Sequence, residues 1–141
     1  MDMFLTRLIY ASTIGEHFSQ HTIEDILETA RHNNVKHNIT GVLCFNCSYF
    51  LQCLEGPRAD VNETYKRILN DDRHHNIVML DYREIDSREF SDWTMGYIPS
   101  STISIPINLK FSEASEFNPY AMSGASAYMM LLELKHSVPT L

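Results

Sequence analysis

The sequence predicts an α+β fold, and three observations carry that prediction. Stretches around Tyr10, Gln52 and Tyr97 place apolar residues at every second position, the period of a strand. Two segments, one starting near Thr22 and one near residue 58, carry apolar residues at helical spacing instead. Strands and helices follow one another as β-α-β-β-α-β-β. That order suits a ferredoxin-like sheet with both helices on one face and further C-terminal helices on the other.

Each element has its own signal. Phe4 to Ser12 reads as the first strand, and alternation puts Leu8 and Tyr10 on one face with Ile9 and Ala11 on the other. Thr22 offers a helix cap with Asp25 three residues on, and Ile23, Ile26, Leu27 and Ala30 form one stripe of the helix that follows. Asn34 extends that stripe with an amide. Thr40 to Asn46 is the second strand, and a short turn leads into a third on which Phe50, Gln52 and Leu54 share a face opposite Leu51 and Cys53. A second helix over 58–71 turns Val61, Thr64, Tyr65, Ile68 and Leu69 inward, with Arg67 near its edge. Asn76 to Ile85 is apolar on both faces, which predicts a fourth strand covered on both sides. Trp93, Met95 and Tyr97 alternate on a fifth. After Pro99 the chain is polar and irregular until about Met122, where a helix with a broad apolar surface begins. It is expected to cover the second sheet face, a partner chain, or both.

Composition bounds the function. At 141 residues the chain is about one domain long, and 44% hydrophobic with 21% charged residues is ordinary globular composition. A net charge of −7 repels phosphate backbones, and no basic run offsets it, so direct nucleic-acid binding is not expected. The start, MDMFLTRLIY, resembles neither a signal nor a transit peptide. No apolar stretch reaches the roughly eighteen residues of a membrane helix, so a cytoplasmic location without a membrane partner is expected. Three cysteines then read as reduced thiols. Cys44 and Cys47 form a CxxC, but between two strand patterns and not at the helix N-terminus that gives redox dithiols a low thiolate pKa. Neither Cys53 nor the scattered histidines complete a zinc pattern, so no metal is expected.

Gln52 is the residue that the strand pattern does not explain, because an amide buried without partners costs about 1–3 kcal/mol. Two helices on one sheet face leave a groove between them. If Tyr10, Gln52 and Asn34 all point into it, a planar polar ligand would satisfy each of them. Taken singly, they read as a core tyrosine, a structural amide and a helix end.

Five motifs reverse those separate readings when taken together. They are "RLIY" ending at Tyr10, "EDILETARHNNVKHNITGVL" with Asn33, Asn34, Thr40 and Gly41, "FLQCLEG" around Gln52, "YKRILNDDRHHNI", and "REFSDWTM" with Trp93 and Met95. In this set and order the chain resembles the BLUF family of blue-light sensors that bind FAD. The resemblance implies a photoreceptor and not an enzyme, with a flavin-binding domain over 1–100 and a helical extension over 101–141. It implies that Tyr10 donates an electron and a proton to the excited flavin, and that Gln52 bridges tyrosine and flavin and changes its hydrogen bonding. It further implies that Asn33 and Asn34 meet the polar edge of the ring, that Ile26 packs on its face, and that Arg67, Arg73 and His74 lie near the ribityl and phosphate part. FMN or riboflavin could occupy the same site. Trp93 and Met95 would relay the signal, and either could turn inward. Output would pass to a downstream protein or through a homo-oligomer. The competing readings are a light-insensitive ferredoxin-like regulatory module and a thiol oxidoreductase using Cys44 and Cys47.

Overall fold

The computed structural model describes residues 4–15, 19–46 and 48–137. Strand β1 (Leu5–Ile14) is followed by helix α1 (Gln20–His37), strands β2 (Thr40–Phe45) and β3 (Tyr49–Pro57), helix α2 (Arg58–Leu69), and strands β4 (His74–Ile85) and β5 (Gly96–Pro99). Helices α3 (Ile105–Phe111) and α4 (Gly124–Ser137) complete the chain, with short 3-10 turns at 100–102 and 119–121. The sheet order is β4-β1-β3-β2-β5, with β1, β3 and β2 antiparallel neighbours and β5 parallel to β2. This is the predicted ferredoxin-like arrangement, with a fifth strand added beside β2.

Period-two alternation in the central strands builds two cores, one on each sheet face. On one face Ile9, Val42, Cys44, Leu51 and Cys53 pack against Ala127, Met130, Leu131 and Leu134 of α4. The broad apolar side of α4 is therefore largely consumed by the sheet. On the other face the core is split. Ile23 and Leu27 of α1 pack with Leu43, Phe50 and Leu54, whereas Val61 of α2 packs with Leu8 and Tyr10. Each helix thus has its own apolar seat, and the space between the seats is where a groove can open.

Four local expectations are corrected. The cap of α1 is Ser19, whose hydroxyl accepts from the Thr22 backbone N–H while the Thr22 side chain accepts from the Ser19 N–H. The helix therefore starts earlier than the apolar stripe indicates. It ends at Asn38, which adopts the left-handed conformation at φ 57° and donates its N–H to the Asn34 carbonyl. Strand β4 is an edge strand with Val78 and Met79 exposed, because an apolar run alone does not distinguish a central strand from an edge. Leu69, expected inward, is exposed at the last turn of α2. Strand β5 begins only at Gly96, so Trp93 and Met95 lie in the preceding loop, where strand alternation does not apply.

Gly124 fixes how closely α4 approaches the sheet. A Cβ there would lie 2.1 Å from the Leu80 carbonyl oxygen, a backbone atom of β4 with little freedom to move. Gly124→Ala is expected to destabilise the fold by about 1–3 kcal/mol, the usual range for overpacking. Urea unfolding checks this, and an unchanged midpoint would contradict the close docking of α4.

A cleft between the two helices

A cleft opens between α1 and α2, with about 710 Å³ of non-protein space, part of it open to solvent. Tyr10 of β1, Leu43 of β2 and Phe50, Gln52 and Leu54 of β3 line it from the sheet. Ile26, Thr29, Ala30, Asn33 and Asn34 line it from α1, and Thr64, Arg67 and Ile68 from α2. Asp71, Arg73 and His74, in the connection to β4 and at its start, also border it. All eight residues expected to hold a cofactor therefore border one cleft.

Tyr10 and Gln52 are directly opposite each other in the β1–β3 register, so their side chains leave the same sheet face. The Tyr10 hydroxyl donates to Gln52 Oε1, and both residues are buried. Burial pushes the Tyr10 phenol far above its ordinary value, and the Asp71 carboxylate and Tyr65 add to that direction. The phenol therefore stays protonated and acts as a hydrogen-bond donor, which sets the amide with its oxygen towards Tyr10. The amide nitrogen then points the other way and donates to Met95 Sδ at 3.5 Å. A thioether is a weak acceptor, so among the described residues this buried NH2 group has no strong partner. It suits a ligand acceptor in the cleft.

The remaining cleft residues differ in how free they are. The Asn34 amide nitrogen donates to the Thr94 carbonyl at 2.7 Å, tying the helix to the loop before β5. His74 is held at both ring nitrogens. Nε2 donates to the Ile68 carbonyl at 2.9 Å, which leaves Nδ1 to accept from the Ser12 hydroxyl at 2.8 Å. Any contact His74 makes with a ligand is therefore through ring carbons. Arg67 is exposed and reaches Thr64 Oγ1 at 3.4 Å, while Arg73 forms a forked ion pair with Asp71. Asp71 was not anticipated as a site residue, although its position two residues before Arg73 is a readable pairing signal.

Met95 turns inward and Trp93 does not. Met95 is buried in the core under α1, and its carbonyl accepts from Arg31 Nε at 3.1 Å and Nη2 at 2.9 Å. Trp93 packs on Phe90 against the core of the opposite face, with ring centroids 5.7 Å apart. The loop carrying them is strapped to the sheet by residues that the sequence reading missed. Buried Glu55 accepts from the Glu89 N–H at 3.0 Å and the Phe90 N–H at 2.8 Å. Arg88 donates to Thr40 Oγ1 at 2.9 Å and to the Glu55 carbonyl at 3.1 Å. Lys135 of α4 donates to the Glu89 carbonyl, which joins the last helix to the same loop.

The chain matches the BLUF family, described as sensors of blue-light using FAD, over residues 5–96. It is 43% identical over 76 residues to the blue light- and temperature-regulated antirepressor BluF of Escherichia coli (strain K12), covering 54% of this chain and 19% of that protein. It is 34% identical over 95 residues to the photoactivated adenylate cyclase subunit beta of Euglena gracilis, covering 67% of this chain and 11% of that one. The chain thus spans a fifth or less of these curated relatives. Among solved structures it is similar to BlsA in its photo-activated state, with a TM-score of 0.87 and 32% identity over 97% of this chain and 98% of that one. It is also similar to the dark-state structure of BlrB, a BLUF protein, with a TM-score of 0.82 and 26% identity over 98% of this chain and all of that one.

The thiols of the sheet behave as core groups. Burial pushes Cys44 from 9.0 up to about 12 and Cys53 well above its ordinary value; Cys47 lies outside the described residues. Raised folded values mean that the native state holds these protons more tightly than the unfolded chain does. Their contribution to stability is therefore whole below about pH 9 and is lost as pH rises from there through the folded values. Urea midpoints at pH 7, 9 and 10.5 are expected to fall only in the last step. Native Cys44 is expected to resist iodoacetamide at pH 8, and rapid alkylation would contradict its burial.

Proposed function

The chain belongs to the BLUF family, sensors of blue light using FAD, and from that premise we propose how its residues convert light into a change of contacts. The site fits the cofactor through the chemistry of its donors. A buried amide and a protonated phenol face the cleft, with apolar Ile26, Leu43 and Leu54 to pack on a ring and Asn33 and Asn34 along one wall. Bound there, the flavin supplies absorption of blue light and an electron-accepting ring.

Tyr10 is the donor in this proposal. With a flavin held in the cleft, Tyr10 would supply an electron and its phenolic proton to the ring, and both would return to the tyrosine afterwards. While the proton is away, the bond that orients the Gln52 amide is missing. Gln52 then rotates or tautomerises, which exchanges the donor and acceptor that its neighbours meet. Met95 feels the exchange directly, because its sulfur lies against the amide nitrogen. The Met95 backbone, held by Arg31, and the loop held by Glu55 and Arg88 carry the strain towards Glu89, where Lys135 connects it to α4.

Output requires a partner that binds dark and lit forms unequally, since equal affinity transmits nothing. The name of the similar Escherichia coli protein, an antirepressor, supports signalling through protein contact and not turnover. No helix among the described residues is long and apolar enough to cross a membrane. A cytoplasmic location and self-association belong to the same proposal, the latter supported by the exposed Ile105, Leu109 and Met129. So does the division into a flavin-binding unit over 1–100 and a helical extension over 101–141. FMN or riboflavin in place of FAD is likewise part of it.

The carrying observation is the Tyr10–Gln52 hydrogen bond in the cleft. The purified protein is expected to be yellow, with a flavin band that shifts reversibly to the red under blue light. Tyr10→Phe and Gln52→Leu are each expected to retain flavin and lose the shift. A normal shift in the phenylalanine variant would refute the donor role, and a normal shift in the leucine variant would refute the amide switch.

A further inference from the structure

Three consecutive carbonyls before β5 are each held by a different donor. The Gly41 N–H donates to the Trp93 carbonyl at 2.9 Å, the Asn34 amide nitrogen to that of Thr94 at 2.7 Å, and Arg31 to that of Met95 through Nε at 3.1 Å and Nη2 at 2.9 Å. Arg31 and Asn34 are three residues apart on α1, so one side of that helix grips two successive peptide units. The two grips are not equivalent. Asn34 borders the cleft, where a ligand competes for its amide, whereas Arg31 and Met95 are not among the residues lining it. The two guanidinium donors lie in one plane and share one oxygen, so they fix the direction of the Met95 carbonyl as well as its distance. The tie at Met95 thus uses no group that lines the cleft.

We propose that Arg31 is a positioning residue that shortens the life of the light-altered state, by keeping the Met95 sulfur against the Gln52 amide. The inference rests on the amide-rotation form of the reading above and adds to it what drives the return. In the structure Gln52 Nε2 donates to Met95 Sδ at 3.5 Å, a donor facing a weak acceptor. Once the amide has rotated, its oxygen faces the sulfur and two acceptors oppose each other. A free Met95 would turn away and relieve that contact. Met95 is buried in the core under α1, and with its carbonyl clamped by Arg31 its backbone cannot follow such a turn. The unfavourable contact persists, which raises the altered state towards the barrier for return and speeds Gln52 back to the orientation that donates to sulfur.

Arg31→Gln removes the planar two-donor clamp, and Arg31→Lys keeps the charge on a single ammonium head. Dark recovery of the unshifted flavin band is expected to slow about tenfold in Arg31→Gln and about threefold in Arg31→Lys, as the altered state is relieved. Flavin affinity is expected to stay unchanged in both. Because the effect acts through the sulfur, Arg31→Gln made in a Met95→Ala background is expected to leave recovery as it is in Met95→Ala alone. Trp93 is the one tryptophan of the chain, which gives a second reading without flavin. In the apoprotein, acrylamide quenching of Trp93 is expected to rise in Arg31→Gln, since the peptide two residues on has lost its tie.

Unchanged or faster recovery in Arg31→Gln overturns the inference while leaving the photoreceptor reading intact. So does a slowing of the same size in the Met95→Ala background, which would give Arg31 a role apart from the sulfur. A slowing accompanied by weaker flavin binding overturns it too, since the residue would then act on the ligand. Unchanged Trp93 quenching in the apoprotein means that the loop is held without Arg31, with the same consequence. Should the glutamine variant fail to fold, the lysine variant decides by the same comparisons. Absence of any light-induced shift in the unaltered protein is a different result. It defeats the amide switch itself and this inference with it.

Discussion

The hydrogen bond from Tyr10 to Gln52 is the interaction on which the rest of the structure depends. It exists because β1 and β3 pair in a register that sets the two residues opposite each other on the helix-covered face. A shift of one residue would send one of them to the other side of the sheet. Burial keeps the phenol protonated, the protonated phenol fixes the amide, and the fixed amide points its nitrogen at Met95. A local proton thus determines the orientation of a group that reaches the loop before β5.

What surrounds that bond is arranged to be sensitive to it. The helix-side core is divided between a seat for α1 and a seat for α2, which leaves the cleft where a continuous core would have excluded a ligand. The loop from Arg88 to Met95 is held from several directions by Glu55, Arg88, Arg31 and Asn34, each acting on or through backbone atoms. Its Trp93 rests in the core that also seats α4 while its Met95 lies in the core under α1, so one short segment touches both sheet faces.

Much of this was legible in the sequence because it rests on periodicity. The alternation in β1 and β3 grouped Tyr10 with Leu8 and Gln52 with Phe50 and Leu54 without deciding which sheet face each took; the register sets both on the helix-covered face, and the misplaced amides Gln52 and Asn34 border the cleft there. The failures have physical causes. The hydrophobicity of β4 was read as two-sided burial, although edge position is decided by partners distant in sequence. Trp93 and Met95 share a spacing but not a face, because the loop that carries them is shaped by the buried carboxylate of Glu55 and the reach of Arg88. Those contacts span more than thirty residues of chain, as between Glu55 and Phe90. The expectation that Arg73 lies near a ligand's phosphate part took no account of Asp71, two residues earlier, which pairs with it in the structure.

The central claim is that light changes the hydrogen bonding of one amide. Gln20 and Gln52 are the glutamines of the chain, which makes side-chain isotope labelling of glutamine nearly site-specific. A light-minus-dark infrared difference spectrum of glutamine-labelled protein should contain isotope-shifted amide bands, and these should vanish in Gln52→Leu while Gln20 remains. Flavin bands that change on illumination with no glutamine contribution would contradict the account.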